Sequence, residues 1–115
     1  MINYEEQKLL DKINKKSKTA LIIVEGKKDK VALEALEIKA DFFLLCKQNR
    51  SLPESAEEIA KKYKKVILML DNDKKGLELE KTMVHYLQKF GVKVDRKLGK
   101  ELLTLKNSPT VEGIL

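Results

Sequence analysis

The sequence predicts an α/β fold, with about four mostly parallel strands in one sheet and helices on both of its faces. The runs Ala20–Val24, Phe42–Cys46 and Val66–Leu70 are continuously apolar, as expected of strands buried on both sides of a parallel sheet. The stretches between them carry apolar residues at helical spacing. Strand and helix signals alternate along the chain, which calls for a parallel sheet joined by right-handed crossovers.

The elements follow in order. Asn3 with Glu6 reads as a capping box opening a first helix to about Lys16, with Leu9, Leu10 and Ile13 inward. Ala20–Val24 is the first strand, broken by Glu25-Gly26. Residues 27–38 read as a helix burying Val31, Ala32, Ala35 and Leu36. Phe42–Cys46 is the second strand, and Cys46, the one cysteine, reads as a small core residue. Ser51 and Glu54 form a second capping-box pattern with Pro53 in the first turn. The helix they open buries Ala56, Ile59, Ala60 and Tyr63. Val66–Leu70 is the third strand. A longer helix then runs to about Phe90, with Leu79, Met83, Tyr86, Leu87 and Phe90 inward, and Gly91 terminates it. Val92–Asp95 is a short strand suited to a sheet edge. Residues 98–105 form a last helix, and the tail NSPTVEGIL carries no regular signal.

At 115 residues the chain fits one domain, with 1–17 as an N-terminal helix, 18–95 as the core and 96–115 as a C-terminal extension. A hydrophobic fraction of 43% is enough for a core without disulfides or a structural metal. Lys and Arg number 24 against 18 Asp and Glu, a net charge of +6. Arg occurs only at Arg50 and Arg96, so the basic surface is almost all lysine. Such a surface attracts phosphate backbones and favours backbone contact over base reading, where bidentate Arg is the commoner tool. A Lys- and Glu-rich surface is equally a mark of heat adaptation. A lone cysteine excludes an internal disulfide, and one cysteine with one histidine, His85, is too few for a zinc site. Neither a secretory signal nor a membrane span is apparent, so the expected location is the cytoplasm, without a membrane partner.

In parallel α/β sheets the functional crevice lies beyond the C-terminal ends of the strands. Two of these ends carry acids: Glu25-Gly26-Lys27 after the first strand, and Asp71-Asn72-Asp73-Lys74-Lys75-Gly76 after the third. At i, i+2 spacing in extended chain, Asp71 and Asp73 leave the backbone on the same side. Carboxylates converging on one point repel unless a cation lies between them, and oxygen ligands of this kind favour Mg²⁺. Lys27, Lys28, Lys74 and Lys75 surround the acids and suit phosphate. The first turns of the following helices offer further N–H groups to an anion. Gly26 and Gly76 allow close backbone approach or unusual dihedrals. Asp29 reads either as a further acid of the site or as a first-turn residue favoured by the helix dipole.

The segments IIVEGKKDKVAL, residues 22–33, and VILMLDNDKKG, residues 66–76, together resemble the Toprim signature. That signature is a Glu-Gly after the first core strand and an Asp-x-Asp-x-x-Gly after the third. Toprim domains occur in DnaG-type primases, type IA and type II topoisomerases, OLD-family nucleases, RecR proteins and nucleases that mature small ribosomal RNA. VEGKKD with DNDKKG is most similar to small stand-alone Toprim proteins and the maturation nucleases. The resemblance spans roughly residues 18–95 and implies a single Toprim-type, Rossmann-like domain. It implies Mg²⁺, or Mn²⁺ in its place, held by Asp71 and Asp73 with Glu25, and Glu25 as general acid or base. Lys27 is the foremost candidate for a phosphate contact. The implied function is nuclease or nucleotidyl-transfer chemistry on DNA or RNA, alone or with a protein partner or second copy. The alternative is a non-catalytic nucleic-acid-binding or assembly module on the same fold.

Other readings of the acids stand beside this one. Asp73 suits the N-cap of the helix at Lys74. The four lysines suit plain solubility. A haloacid-dehalogenase-type phosphatase places Asp-x-Asp after its first core strand, not its third, and needs a downstream Asp pair that is missing here. A receiver domain expects its acidic pair where Glu25-Gly26 stands. Tyr4, Tyr63 and Tyr86 fall on or at the end of predicted helices, which excludes topoisomerase strand passage by this chain alone.

Overall fold

The computed structural model describes residues 3–115. Asn3 Oδ1 accepts the Glu6 N–H at 2.7 Å and opens α1, Tyr4–Lys16. Only half of the expected capping box forms. The Glu6 carboxylate is buried on the inner stripe of α1 and pairs instead with Lys106 Nζ at 3.0 Å. The chain continues through β1 (Leu21–Val24), α2 (Lys27–Ala35), β2 (Phe42–Leu44), α3 (Leu52–Lys62), β3 (Lys65–Leu68), α4 (Lys74–Lys89), β4 (Lys93–Asp95) and α5 (Lys97–Leu105). Two 3-10 turns, Leu45–Lys47 and Glu112–Ile114, complete it.

The four strands form one sheet in the order β2-β1-β3-β4, and every neighbouring pair is parallel. Alternate residues of the central strands face opposite layers. Ile22 and Val24 of β1, Ile67 of β3 and Met69 just beyond it face a layer built from α1, α2, α5 and the C-terminal tail. Leu21 and Ile23 of β1, with Val66 and Leu68 of β3, face the layer of α3 and α4. The sheet is therefore covered on both faces, as the apolar runs require.

Several side chains lie elsewhere than their spacing suggests. On α2 the buried residues are Ala32 and Leu33, followed by Leu36, while Val31 is 50% exposed and Ala35 is also outside. The inner stripe of α2 is thus set about one residue further along than periodicity indicates. β2 stops at Leu44 and is only half-buried because it is an edge strand. The chain then curls, with the Cys46 N–H donating to Glu25 O at 2.9 Å, and Cys46 is exposed rather than in the core. Phe90 is 38% exposed beside Gly91, whose φ of +81° ends α4 in a left-handed turn. The tail is folded onto the domain, with Val111 and Ile114 in the core beside α2. Among the described residues, no helix is long and apolar enough to cross a membrane.

Ion pairs tie the terminal helices to the sheet. Asp95 at the end of β4 pairs with Lys16 of α1 and accepts the Lys97 and Leu98 N–H groups with its other oxygen, capping α5. Burial pushes the Asp95 carboxyl up, but the Lys16 ammonium and these N–H groups more than offset it and hold the carboxyl below its ordinary value. A depressed carboxylate stabilises the fold above its unfolded pKa, and the effect is lost as pH falls through the folded value. Asp95→Ala is expected to cost about 1–2 kcal/mol at neutral pH, a figure discounted for the partly exposed pair. That difference should shrink below about pH 4, where the wild type loses the same contribution. Urea unfolding of both proteins at neutral and acidic pH measures this.

Candidate functional site

The strand order fixes where the site lies. From β1 the chain steps to β2 on one side, then crosses to β3 on the other and continues to β4. The strand order therefore reverses between β1 and β3, and crevices in open α/β sheets form at such points. Ile23 pairs with Leu68, and the Met69 N–H continues the ladder to Ile23 O at 2.9 Å. Glu25 and Asp71 leave these two strands at their C-terminal ends, from backbones about 4.8 Å apart.

Glu25 is half-buried, and its Oε1 lies 3.6 Å from Lys75 Nζ, which bridges the two loops. Asp71 is also half-buried, and its Oδ1 accepts the N–H of Val111 from the tail at 2.8 Å. Burial raises the Asp71 carboxyl above its ordinary value. The Val111 N–H acts against this, while the charges of Asp73, Glu25 and Glu112 raise it further. Asp73 caps α4, its Oδ1 accepting the Gly76 N–H at 2.7 Å. Asp29 lies in the first turn of α2, buried, and its Oδ2 accepts the Gly26 N–H at 3.0 Å. Its carboxyl is raised by burial, against the Gly26 bond, and then by Asp71, Glu25 and Glu112. Asp29 therefore caps the helix and stands within electrostatic reach of Glu25, Asp71 and Glu112.

The four lysines sit in the first turns of the two helices that follow the acid loops. Lys27 and Lys28 open α2, and Lys74 and Lys75 open α4. All four are exposed. Lys75 answers Glu25, and Lys28 lies 3.9 Å from Glu112 in the tail.

The two glycines differ. Gly26 has extended backbone, φ −149°, and a Cβ there would meet only the Cys46 Sγ at 3.3 Å. A Cβ on Gly76 would lie 2.1 Å from Asp71 O and 2.8 Å from Asp71 C. The first turn of α4 therefore presses against the backbone of the Asp71 loop, and only glycine fits.

Could these residues hold a divalent cation? The donors are all hard oxygens, and Asp71 and Asp29 are raised first by burial and then by the neighbouring carboxylates that share this end of the sheet. The donor set therefore fits Mg²⁺ or Mn²⁺. It is an open set. Among the described residues, no group of three or more His, Cys, Asp or Glu side chains stands placed to hold a metal ion. Oδ1 of Asp71 and of Asp73 is taken by a backbone N–H, leaving one oxygen of each uncommitted.

Three features escape a sequence reading. The tail reaches the acid loop twice, through Val111 to Asp71 and through the Asn72 N–H to Pro109 O at 2.7 Å. Gly99 lets α5 approach the end of β3, where a Cβ would stand 2.6 Å from Leu68 O. Glu80 is 5% exposed and receives Arg96 Nε at 2.8 Å, with Lys100 Nζ at 3.5 Å. Glu80 does leave a trace in the sequence: it sits on the inner stripe of α4 with Gly76, Met83 and Leu87, a position where a carboxylate needs a cation.

Comparison with known proteins gives concordant results. The Toprim domain profile matches residues 20–100. A UPF0292 protein of Pyrococcus horikoshii is 40% identical over 81 residues, which cover 70% of this chain and 59% of that protein. A UPF0292 protein of Methanosarcina acetivorans is 33% identical over 111 residues, covering 95% of this chain and 76% of that one. The chain thus spans less than two thirds of the Pyrococcus relatives, 59% in each case. A solved structure of a protein from Aquifex aeolicus superposes with a TM-score of 0.80 at 27% identity, covering 96% of this chain and 98% of that one.

The glycine geometry yields a paired test. Gly76→Ala gains about 1 kcal/mol of helix propensity but forces a Cβ into fixed backbone. We expect a net loss of about 2–3 kcal/mol in chemical denaturation. Gly26→Ala meets only a side-chain sulfur that can move, and should change stability by less than about 1 kcal/mol. Equal effects would remove the close approach of α4 as a constraint.

Proposed function

This chain belongs to the Toprim domain family and to the UPF0292 proteins, and from that premise we propose that it performs Mg²⁺-dependent chemistry on nucleic-acid phosphodiesters, by cleavage or nucleotidyl transfer. Toprim domains are generally linked to metal-dependent nucleic-acid enzymes. One observation carries the reading for this chain. Glu25 and the Asp71–Asp73 loop leave the two paired central strands at the topological switch point, with Lys75 spanning them.

In this reading Asp71, Asp73 and Glu25 supply carboxylate oxygens to the cation. Bound Mg²⁺ would stabilise the charge that builds on the phosphoryl oxygens. The protein's own groups do the rest. Glu25, at the mouth of the crevice, takes the proton from the attacking hydroxyl or returns one to the leaving oxygen. Lys27 and Lys28 from α2, with Lys74 and Lys75 from α4, hold the phosphate from two sides. Lys75 already spans the gap to Glu25, so an incoming phosphate offers it a second anion. The N–H groups in the first turns of both helices add dipoles of the same sign.

The non-catalytic alternative draws on the open donor set, since among the described residues no three His, Cys, Asp or Glu side chains stand placed to hold a metal ion. An assay with labelled single-stranded DNA and RNA, in Mg²⁺, Mn²⁺ or chelator, separates the two readings. We expect metal-dependent cleavage or extension, reduced by about 10²-fold or more in Asp71→Ala and Glu25→Gln, in keeping with loss of a principal electrostatic group. Activity retained in Asp71→Ala would exclude this site. Oligonucleotide binding without turnover in any metal would favour the binding module.

A further inference from the structure

We propose that a nucleic-acid strand bound at the acid cluster leaves it along a basic track on the β4 edge of the domain, with Arg96 at its junction. The proposal rests on the nucleic-acid reading above and adds the path of the substrate backbone.

Three grooves meet at one side chain. Asp71 and Asn72 of the acid loop line a narrow cleft together with Glu80, Arg96 and Lys100. Arg96 also lines a groove of about 710 Å³ along α5, with Lys97 and Lys100. It lines a third, of about 390 Å³, with Lys16, Lys65 and Lys93 beside the edge strand. The acid loop is therefore continuous, through Arg96, with a cation-lined groove beside the edge strand and with the more apolar groove of α5.

The charges on this track are arranged as if for an anion. Glu80 is buried beneath Arg96 and Lys100, and its single charge faces two cations, leaving the local balance positive. Arg96 is fixed through Nε, and its two terminal nitrogens make no hydrogen bond among the described residues. A planar guanidinium held in this way suits a phosphate oxygen pair. Further along, Lys65 and Lys93 stand directly opposite each other in the β3–β4 pairing. Like charges in that position are destabilising in the free protein, and a polyanion lying across them would remove the penalty. The opposing acids are few: Asp95 is taken by Lys16, and Glu101 lines the α5 groove. From Lys93 to Arg96, just past the end of β4, the chain spans at most about 10 Å, a span of about three phosphates in a stacked strand.

Fluorescence anisotropy of a fluorescein-labelled single-stranded oligonucleotide, titrated over a range of salt, tests the track. The variant Lys93→Glu/Lys97→Glu alters two exposed track residues outside the acid cluster and outside the Glu80 ion pairs. Lys81→Glu/Lys89→Glu, on the exposed side of α4, makes the same change in net charge elsewhere. Circular dichroism melts confirm that both fold. The track variant should bind about tenfold more weakly, and the slope of log affinity against log salt should fall by about 1.4, for two lost single-strand contacts. The control should lose less than about threefold. Equal losses in the two variants would overturn the track and leave the acid site standing. Tight binding unchanged in the track variant would do the same. Failure of the wild-type protein to bind any oligonucleotide would overturn the track together with the nucleic-acid reading. Loss of cleavage alone, with the salt-slope difference intact, would fall on the catalytic reading and support the track.

Discussion

Leu21, Ile22 and Ile23 of β1 stand beside Val66, Ile67 and Leu68 of β3 in parallel register, and that pairing decides where the two acid loops converge. All six side chains are buried, so a one-residue slip would exchange the sets packed into the two layers and force both to repack. With register fixed, the residues just beyond the ladder are fixed too. Glu25 follows one strand, Asp71 the other, and the reversal of strand order between them leaves the crevice open above. No long-range feature beyond this pairing is needed to bring two loops, far apart in sequence, to one place.

That convergence has an electrostatic cost which the structure only partly meets. Glu25, Asp29, Asp71, Asp73 and Glu112 crowd one end of the sheet, and two of them, Asp29 and Asp71, are raised by burial and then by neighbouring carboxylates. The fold relieves this with backbone dipoles: the Gly26 N–H for Asp29, the Val111 N–H for Asp71 and the Gly76 N–H for Asp73. It adds cations at the rim, where Lys75 answers Glu25 and Lys28 approaches Glu112. Both lysine side chains are 82% exposed, so their contribution is screened and small. The cluster is thus held together mostly by hydrogen bonds to one oxygen of each of its three aspartates. In the function proposed above, the remaining negative charge would receive the hard cation.

The sheet, the two covered faces and the two acid loops were legible because each is written in a local run of sequence. Ala20–Val24 and Val66–Leu70 are apolar without interruption, and the acids follow at once. What escaped depends on tertiary partners. Cys46 follows an apolar run, but its strand lies at the sheet edge and the chain curls after Leu44, leaving it exposed. Val31 has helical spacing yet faces solvent, because Leu33 is the residue that meets the sheet. The tail NSPTVEGIL shows no period, since it is held by single contacts to Asp71, Asn72 and the α2 layer. Gly76 was legible as a glycine of the motif, but its reason, the approach of α4 to the Asp71 carbonyl, is visible only in three dimensions.

Asp73 shows why the structural and chemical readings of the acid loop need not compete. As N-cap it commits Oδ1 to the Gly76 N–H, and that bond fixes the orientation of the carboxylate. The same first turn is pressed against Asp71 by the absence of a Cβ at Gly76. Helix start, cap and loop are therefore one rigid unit, with Oδ1 of each aspartate tied to backbone and the second oxygen left over. A cap alone would need neither the close approach of Gly76 nor a second carboxylate two residues earlier. A cation site built from mobile side chains would have to order them on binding, at an entropic cost of roughly 1 kcal/mol for each. In the proposed reading, the helix cap that holds Asp73 and the tail that holds Asp71 would meet that cost during folding. The tail thereby becomes part of the support of the acid loop rather than an appendage to the domain.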